Sequence, residues 1–225
     1  MITSRDNEKL KLVRKLHERR WRDKLGLFVA EGEDLVEGAT AEPVELLVAG
    51  QNVEPRLLAE VSTAAHPPRV VGVYRADALP SWEPRPVTLA LWRVTDPGNV
   101  GTLIRTADAF GAAVALSPEC ADPTGPKAVR ASAGAIWRVP LGRFDARDTV
   151  SQASKHVALL ANGGEPLPEV DLRGDVTFLL GAERHGLPDE VPREVDARIQ
   201  IESESLNVAA AGAIALYEWR RQNSH

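Results

Sequence analysis

Three separated segments hold residues whose types and spacing could do chemistry. In TDPGNVGTLIRTADAFG (95–111), Asp96-Pro97-Gly98-Asn99 has the make-up of a turn after a strand, and Gly101 would keep the following helix start open to a ligand. Arg105 falls on the helix face opposite Val100, Leu103, Ile104, Ala107 and Phe110, so packing does not account for it. The plain alternative is a turn followed by a surface arginine. In FLLGAERHGLPDEV (178–191) a hydrophobic run stops at Gly181, Glu183 follows, and Gly186 precedes Leu187-Pro188. Glycine at the carboxyl end of a parallel strand admits a ligand to the backbone, where open α/β sheets bind small molecules. An ordinary strand-to-helix loop would read the same way. In ARIQIESESLNVAAAGAIALYEW (197–219), Ser205 could be a helix N-cap with Asn207 on the first turn. Ala209, Ala210, Ala211, Gly212, Ala213 and Ala215 would let another helix approach closely.

Other chemistries are excluded. No GxGxxG follows a strand and opens a helix, and there is no GxxxxGK[ST]. His17, His66, His156, His185 and His225 lack metal-ligand spacing, and the lone Cys120 cannot complete a site, so no metal is expected. His185 reads as a loop residue rather than a base.

The elements that must position these segments alternate between strand and helix. VTLALWRV (87–94) has the pattern of a buried strand, and 100–110 that of a helix stopped by Gly111. Further strands are expected at 113–116, 157–160, 176–180 and 198–201, and a last helix from about Leu206 to Arg221. Such alternation implies a mainly parallel, doubly covered sheet. Upstream, residues 6–24 read as one helix, with strands at 44–48 and 70–73, and RADALPSWEPRP (75–86) as a linker. The expected division is 1–80 and 81–225.

The chain carries net charge −5, which alone argues against a nucleic-acid partner, yet residues 5–24 hold nine Lys/Arg against four acids. That local +5 could hold a phosphate backbone, although a solvated helix would look alike. A single cysteine suits a reducing compartment. The opening residues MITSRDNEKLKLVRK lack the apolar core of a signal peptide, and no apolar stretch is long enough to span a bilayer. A cytoplasmic protein is expected.

Taken in order, the segments resemble the motifs of the SpoU (TrmH-like) class of SPOUT methyltransferases. Asn99, Gly101 and Arg105 match N-x-G-x-x-x-R, and Lys127, Arg130, Ser132, Gly134 and Ala135 match K-A-x-R-x-S-x-G-A. Leu180, Gly181, Glu183, Gly186 and Leu187 match L-G-x-E-x-x-G-L; Ser205–Val208 and Tyr217-Glu218 match S-L-N-V and the end of its helix. The basic helix followed by GLFVAEG (26–32) is similar to the N-terminal substrate-binding domain of ribosomal RNA members. The class places proline where Gln200 stands, and its loop before S-L-N is longer. The resemblance implies a ribosomal-protein-like α/β module joined to a catalytic α/β domain with a mostly parallel sheet and a trefoil knot, working as a homodimer. It implies S-adenosylmethionine as cofactor and methylation of a ribose 2′-OH in RNA, ribosomal RNA of the large subunit first and transfer RNA second. An RNA-binding paralogue without activity is the alternative. By the same resemblance Arg105, Asn99, Glu183, Ser205 and Asn207 are the catalytic candidates. Gly181, Leu180, Ile201 (or Ile199), Leu206, Ala161 and Asn162 would hold the donor, and Arg14, Lys15, Arg19, Arg20, Lys127 and Arg130 the RNA.

Overall fold

In the computed structural model, which describes residues 1–144, 154–182, 185–188, 191–199 and 206–224, the chain builds two sheets joined through 76–86. The first part runs α1 (Glu8–Leu16), α2 (Arg19–Leu25), β1 (Leu27–Glu31), α3 (Glu33–Glu37), β2 (Glu45–Val48), α4 (Pro55–Val61) and β3 (Val70–Arg75). Its strands pair antiparallel in the order β1-β3-β2. Leu10, Val13 and Leu16 of α1 and Leu57, Leu58 and Val61 of α4 close over Val29, Leu47, Val71 and Val73.

The single helix expected over 6–24 is two helices. Glu18 is extended at φ −94°, ψ 131°, and the Arg22 guanidinium turns back to donate to the carbonyls of Leu16 and His17 at 2.8 and 2.9 Å. Those carbonyls belong to the group that a helix C-terminus leaves unpaired. A side chain from the next helix therefore ends α1, and hydrophobic spacing carries no sign of it.

The second part runs β4 (Val87–Leu91), α5 (Pro97–Phe110), β5 (Ala113–Leu116), α6 (Pro126–Ala131), β6 (Leu141–Arg143), β7 (Lys155–Leu160), β8 (Glu165–Pro166), β9 (Val176–Leu180), β10 (Val195–Arg198) and α7 (Val208–Asn223). The strand order is β6-β5-β4-β9-β7-β10-β8, and every pairing is parallel. β4, β5 and β9 are buried at every residue, as parallel strands covered on both faces must be. α5 and α7 pack onto the face of Val87, Leu89, Val114 and Phe178; Ala90, Ala115, Ala158 and Leu179 line the other. The last expected strand starts earlier, because β10 pairs Val195 with Val157 and ends at Arg198. Gln200 and Ile201 lie outside the described residues.

The two parts share a core. Phe28 and Tyr74 meet Trp137 with ring centroids 5.4 and 4.7 Å away, and the Trp137 indole N–H donates to the Leu35 carbonyl at 3.0 Å. Two ion pairs flank it, Arg22 to Asp122 at 2.7 Å and Arg130 to Glu31 at 2.9 Å. Among the described residues no helix is long and apolar enough to cross a membrane, and no cluster of His, Cys, Asp or Glu could hold a metal ion.

Candidate active site

Helix α5 carries the first segment. Asp96 caps it, its carboxylate accepting from the Asn99 N–H at 3.0 Å, and Pro97 opens the first turn. The Lys127 ammonium donates to the same carboxylate at 2.8 Å. That bond, helped by the Asn99 and Gly98 N–H groups, holds Asp96 below the ordinary carboxylate value. Val100, Gly101, Leu103, Ile104 and Ala107 face inward, which leaves Arg105 exposed on the opposite side. Gly101 corrects one expectation: it does not open the helix to a ligand. A Cβ there would stand 2.3 Å from the Ala128 carbonyl oxygen and 2.6 Å from the Ala131 Cβ, so this glycine lets α6 approach.

The third segment meets the first through one side-chain bond. Asn207, not Ser205, is the N-cap of α7, its Oδ1 accepting from Ala209 and Ala210 N–H at 2.9 and 3.3 Å. A cap must present oxygen to the helix, so the amide nitrogen is left to face outward, and it donates to Asn99 Oδ1 at 3.1 Å. Two caps from distant parts of the chain thus lock the starts of α5 and α7 together. Behind them Gly212 admits Leu103, whose Cδ2 would lie 2.4 Å from a Cβ at that position.

The second segment lies at the carboxyl end of β9. Gly181 passes so close to the returning turn that a Cβ would fall 2.2 Å from the Gly186 carbonyl carbon, and Ala182 and Gly186 exchange main-chain hydrogen bonds. Strands β9, β7 and β10 are consecutive neighbours. Leu180-Gly181, Ala161-Asn162 and Ile199 are therefore brought together along one sheet end. Ala161 and Asn162 are exposed there, and Leu206, just before α7, offers an apolar side chain 38% exposed. The open backbone along that sheet end fits an adenosine-bearing cofactor. Glu183, Ile201 and Ser205 lie outside the described residues.

Beside that sheet end is a crevice of about 700 Å³, lined by Trp92, Arg93, Thr95, Asp96, Glu119, Ala182, His185, Gly186 and Pro188. Its size falls within the roughly 300–1,000 Å³ usual for small-ligand sites. Trp92, Arg93 and Glu119 carried no site signal in the sequence: the first two read as the end of the strand over 87–94, and Glu119 follows β5. Arg93 sits in the left-handed region at φ 52°, which favours glycine. Its backbone N–H donates to Ser117 Oγ at 2.9 Å, and its guanidinium pairs with Glu119 at 3.2 Å.

The basic residues divide. Lys15, Arg19 and Arg20 are exposed on α1 and α2, and Arg14, half-buried, donates to the Arg5 carbonyl at 2.9 Å. Lys127 remains 60% exposed beside Asp96. Arg130 is committed elsewhere: its guanidinium donates to Glu31 and to the Thr63 hydroxyl at 2.9 and 2.7 Å, so the expected RNA contact is a tie between the two parts. Arg22, counted in the basic stripe, is likewise interior.

Residues 86–217 match the model of the SpoU rRNA Methylase family, and 7–76 match that of the MRM3-like substrate binding domain. The chain is 31% identical to the 23S rRNA (guanosine(2553)-2′-O)-methyltransferase RlmP of Bacillus subtilis, over 97% of this chain and 98% of that one. It superposes on the AdoMet-bound rRNA methyltransferase from Sinorhizobium meliloti with a TM-score of 0.88 at 31% identity, covering 98% of this chain and 97% of the other. The SpoU methyltransferase AviRb from Streptomyces viridochromogenes, in complex with AdoMet, gives a TM-score of 0.80 at 27% identity over 96% and 98%.

Proposed function

Because the chain belongs to the SpoU rRNA Methylase family, we propose that Arg105, Asn99 and Asn207 form the acceptor side of a ribose 2′-O-methyltransferase site whose substrate is ribosomal RNA of the large subunit. The protein is an S-adenosylmethionine-dependent RNA methyltransferase. When bound, the donor supplies an electrophilic sulfonium methyl. Gly181, Leu180, Ala161, Asn162 and Leu206, with Ile201, hold it at the ends of β9, β7 and β10. The chain's own contribution is to place a ribose hydroxyl in line and to stabilise the charge that grows on its oxygen. A guanidinium hardly gives up its proton, so Arg105 acts through its charge. Asn99 and Asn207 orient the ribose, with Ser205 and Glu183 completing the polar wall.

The observation that carries this reading is the bond from Asn207 to Asn99, which joins motif residues 108 positions apart at the start of the helix that carries the exposed Arg105. Around it, residues 1–80 serve as the RNA substrate-binding domain, with Arg14, Lys15, Arg19, Arg20 and Lys127 as phosphate contacts, and 81–225 as the catalytic domain. The C-terminal chain forms the trefoil knot of its class, and the enzyme works in the cytoplasm as a homodimer. Ile214 and Tyr217, 39% and 63% exposed on α7, support a second copy docking there. Methylation of total RNA with labelled donor, followed by mapping the ribose that resists alkaline cleavage, tests the reading. Label in a large-subunit ribose is expected; label on a base, or none, overturns it.

A further inference from the structure

Helix α2 is built inside out. Its interior residue is Arg22, 7% exposed, bonded to two carbonyls of α1 and to Asp122. Of its large apolar residues, Leu25 is 41% exposed, and Trp21, one helical turn earlier, is buried only in part. Folding alone favours the reverse arrangement, because a buried guanidinium needs partners for its charge and donors while exposed apolar surface forfeits its stabilisation. The partly buried indole is surrounded by cations. The Lys15 and Lys24 ammonium groups lie 5.3 and 5.2 Å from its centroid and the Arg20 guanidinium 5.6 Å. Arg20 pairs with Glu18 at 2.7 Å, but among the described residues neither lysine has a carboxylate within ion-pair distance, and the indole N–H donates to no protein group.

We propose that Trp21, framed by Lys15, Arg20 and Lys24, is a stacking platform for an unpaired nucleotide of the RNA substrate. The indole takes the face of the base, displacing a cation from the ring, and the cations pair with the flanking phosphates. Single-stranded RNA is the partner that fits, because a duplex hides its base faces whereas loops and ends present them to aromatic side chains. The platform is rigidly tied to the catalytic part. Arg22 anchors α2 to Asp122, in the loop entering α6, and Lys127 of α6 holds the cap of α5 that carries Arg105. A nucleotide stacked on Trp21 therefore sets the register of the strand relative to Arg105. This rests on the reading that the N-terminal part binds RNA.

The test measures binding of the full chain to two labelled probes, a ten-nucleotide oligoadenosine and a blunt RNA duplex, across a salt series. Trp21→Ala is expected to weaken oligoadenosine binding roughly tenfold, with duplex binding and the salt slope unchanged and Trp21→Phe recovering most of the loss. Lys15→Ala with Lys24→Ala is expected to lower the salt slope by about one to two units. Thermal melting of Trp21→Ala checks that the variant is folded. Wild-type affinity in Trp21→Ala, or equal losses on both probes, overturns the platform while leaving RNA binding intact. A wild-type chain that holds neither probe overturns the RNA-binding reading itself, and displacement by polyglutamate as effective as by RNA reassigns the patch to acidic protein.

Discussion

At the scale of single residues, Asn207 does two jobs that substitution can separate. Its oxygen caps α7 and its nitrogen donates to Asn99. Aspartate caps as well as asparagine, whereas loss of an N-cap to alanine costs about 1 kcal/mol. Asn207→Ala should therefore melt earlier and also lose methyl transfer. Asn207→Asp should keep its melting temperature yet lose transfer, since it turns a carboxylate oxygen toward Asn99 Oδ1. Thermal melts beside initial rates check both, and full activity in Asn207→Asp would remove the Asn99 bond from the site. The exposure of Arg105 was legible because the apolar stripe of α5 leaves it no packing role. The capping role of Asn207 was not: Ser205 is an equally good cap by type, and only the tertiary bond to Asn99 favours the later residue.

At the scale of elements, two glycines set how closely the site's helices approach. A methyl at Gly101 meets the Ala128 carbonyl, main chain of a neighbouring helix; one at Gly212 meets the far end of Leu103. Backbone yields less than a side-chain tip, and overpacking costs about 1–3 kcal/mol, more than the roughly 1 kcal/mol that alanine returns in helix propensity. Gly101→Ala should be destabilised and Gly212→Ala less so, read from urea midpoints; the opposite order would contradict this packing. Strands β4, β5 and β9 and helix α5 were legible because the strands are short, mostly apolar runs and the helix is apolar along one stripe. The division of α1 from α2 was not, because neither glycine nor proline marks it, and the carbonyls at the break are met by Arg22.

At the scale of the molecule, buried charge holds the two parts together. Burial pushes the Glu31 carboxyl up, but the His17 imidazole 3.6 Å away, hydrogen bonds from Thr63 and Ser62 and the Arg130 charge outweigh it and leave its pKa below the ordinary 4.5. Asp122 is likewise pushed up by burial and drawn below its ordinary 3.8 by Thr124 and Arg22. Each folded-state value lies beneath the unfolded one, so the stabilisation is complete above about pH 4.5 and disappears as pH falls through the folded values. The melting temperature should drop steeply below pH 4. Asp122→Asn, which leaves Arg22 buried without its charge partner, should cost about 3 kcal/mol at neutral pH and flatten that acid limb. An unchanged limb would show that the Arg22–Asp122 pair does not set it. The proline-rich stretch between β3 and β4 marks where one sheet gives way to the other. The aromatic junction was not, since its members are scattered along the chain and none belongs to a pattern.

The most direct test of the site is single-turnover methyl transfer by Arg105→Ala, with donor affinity measured calorimetrically on the same preparation. Arg105 is exposed and, among the described residues, holds nothing in place, so the variant should fold and take up S-adenosylmethionine as the wild type does. Transfer to RNA should be abolished. Turnover near the wild-type rate would contradict the assignment of Arg105 to the reacting ribose.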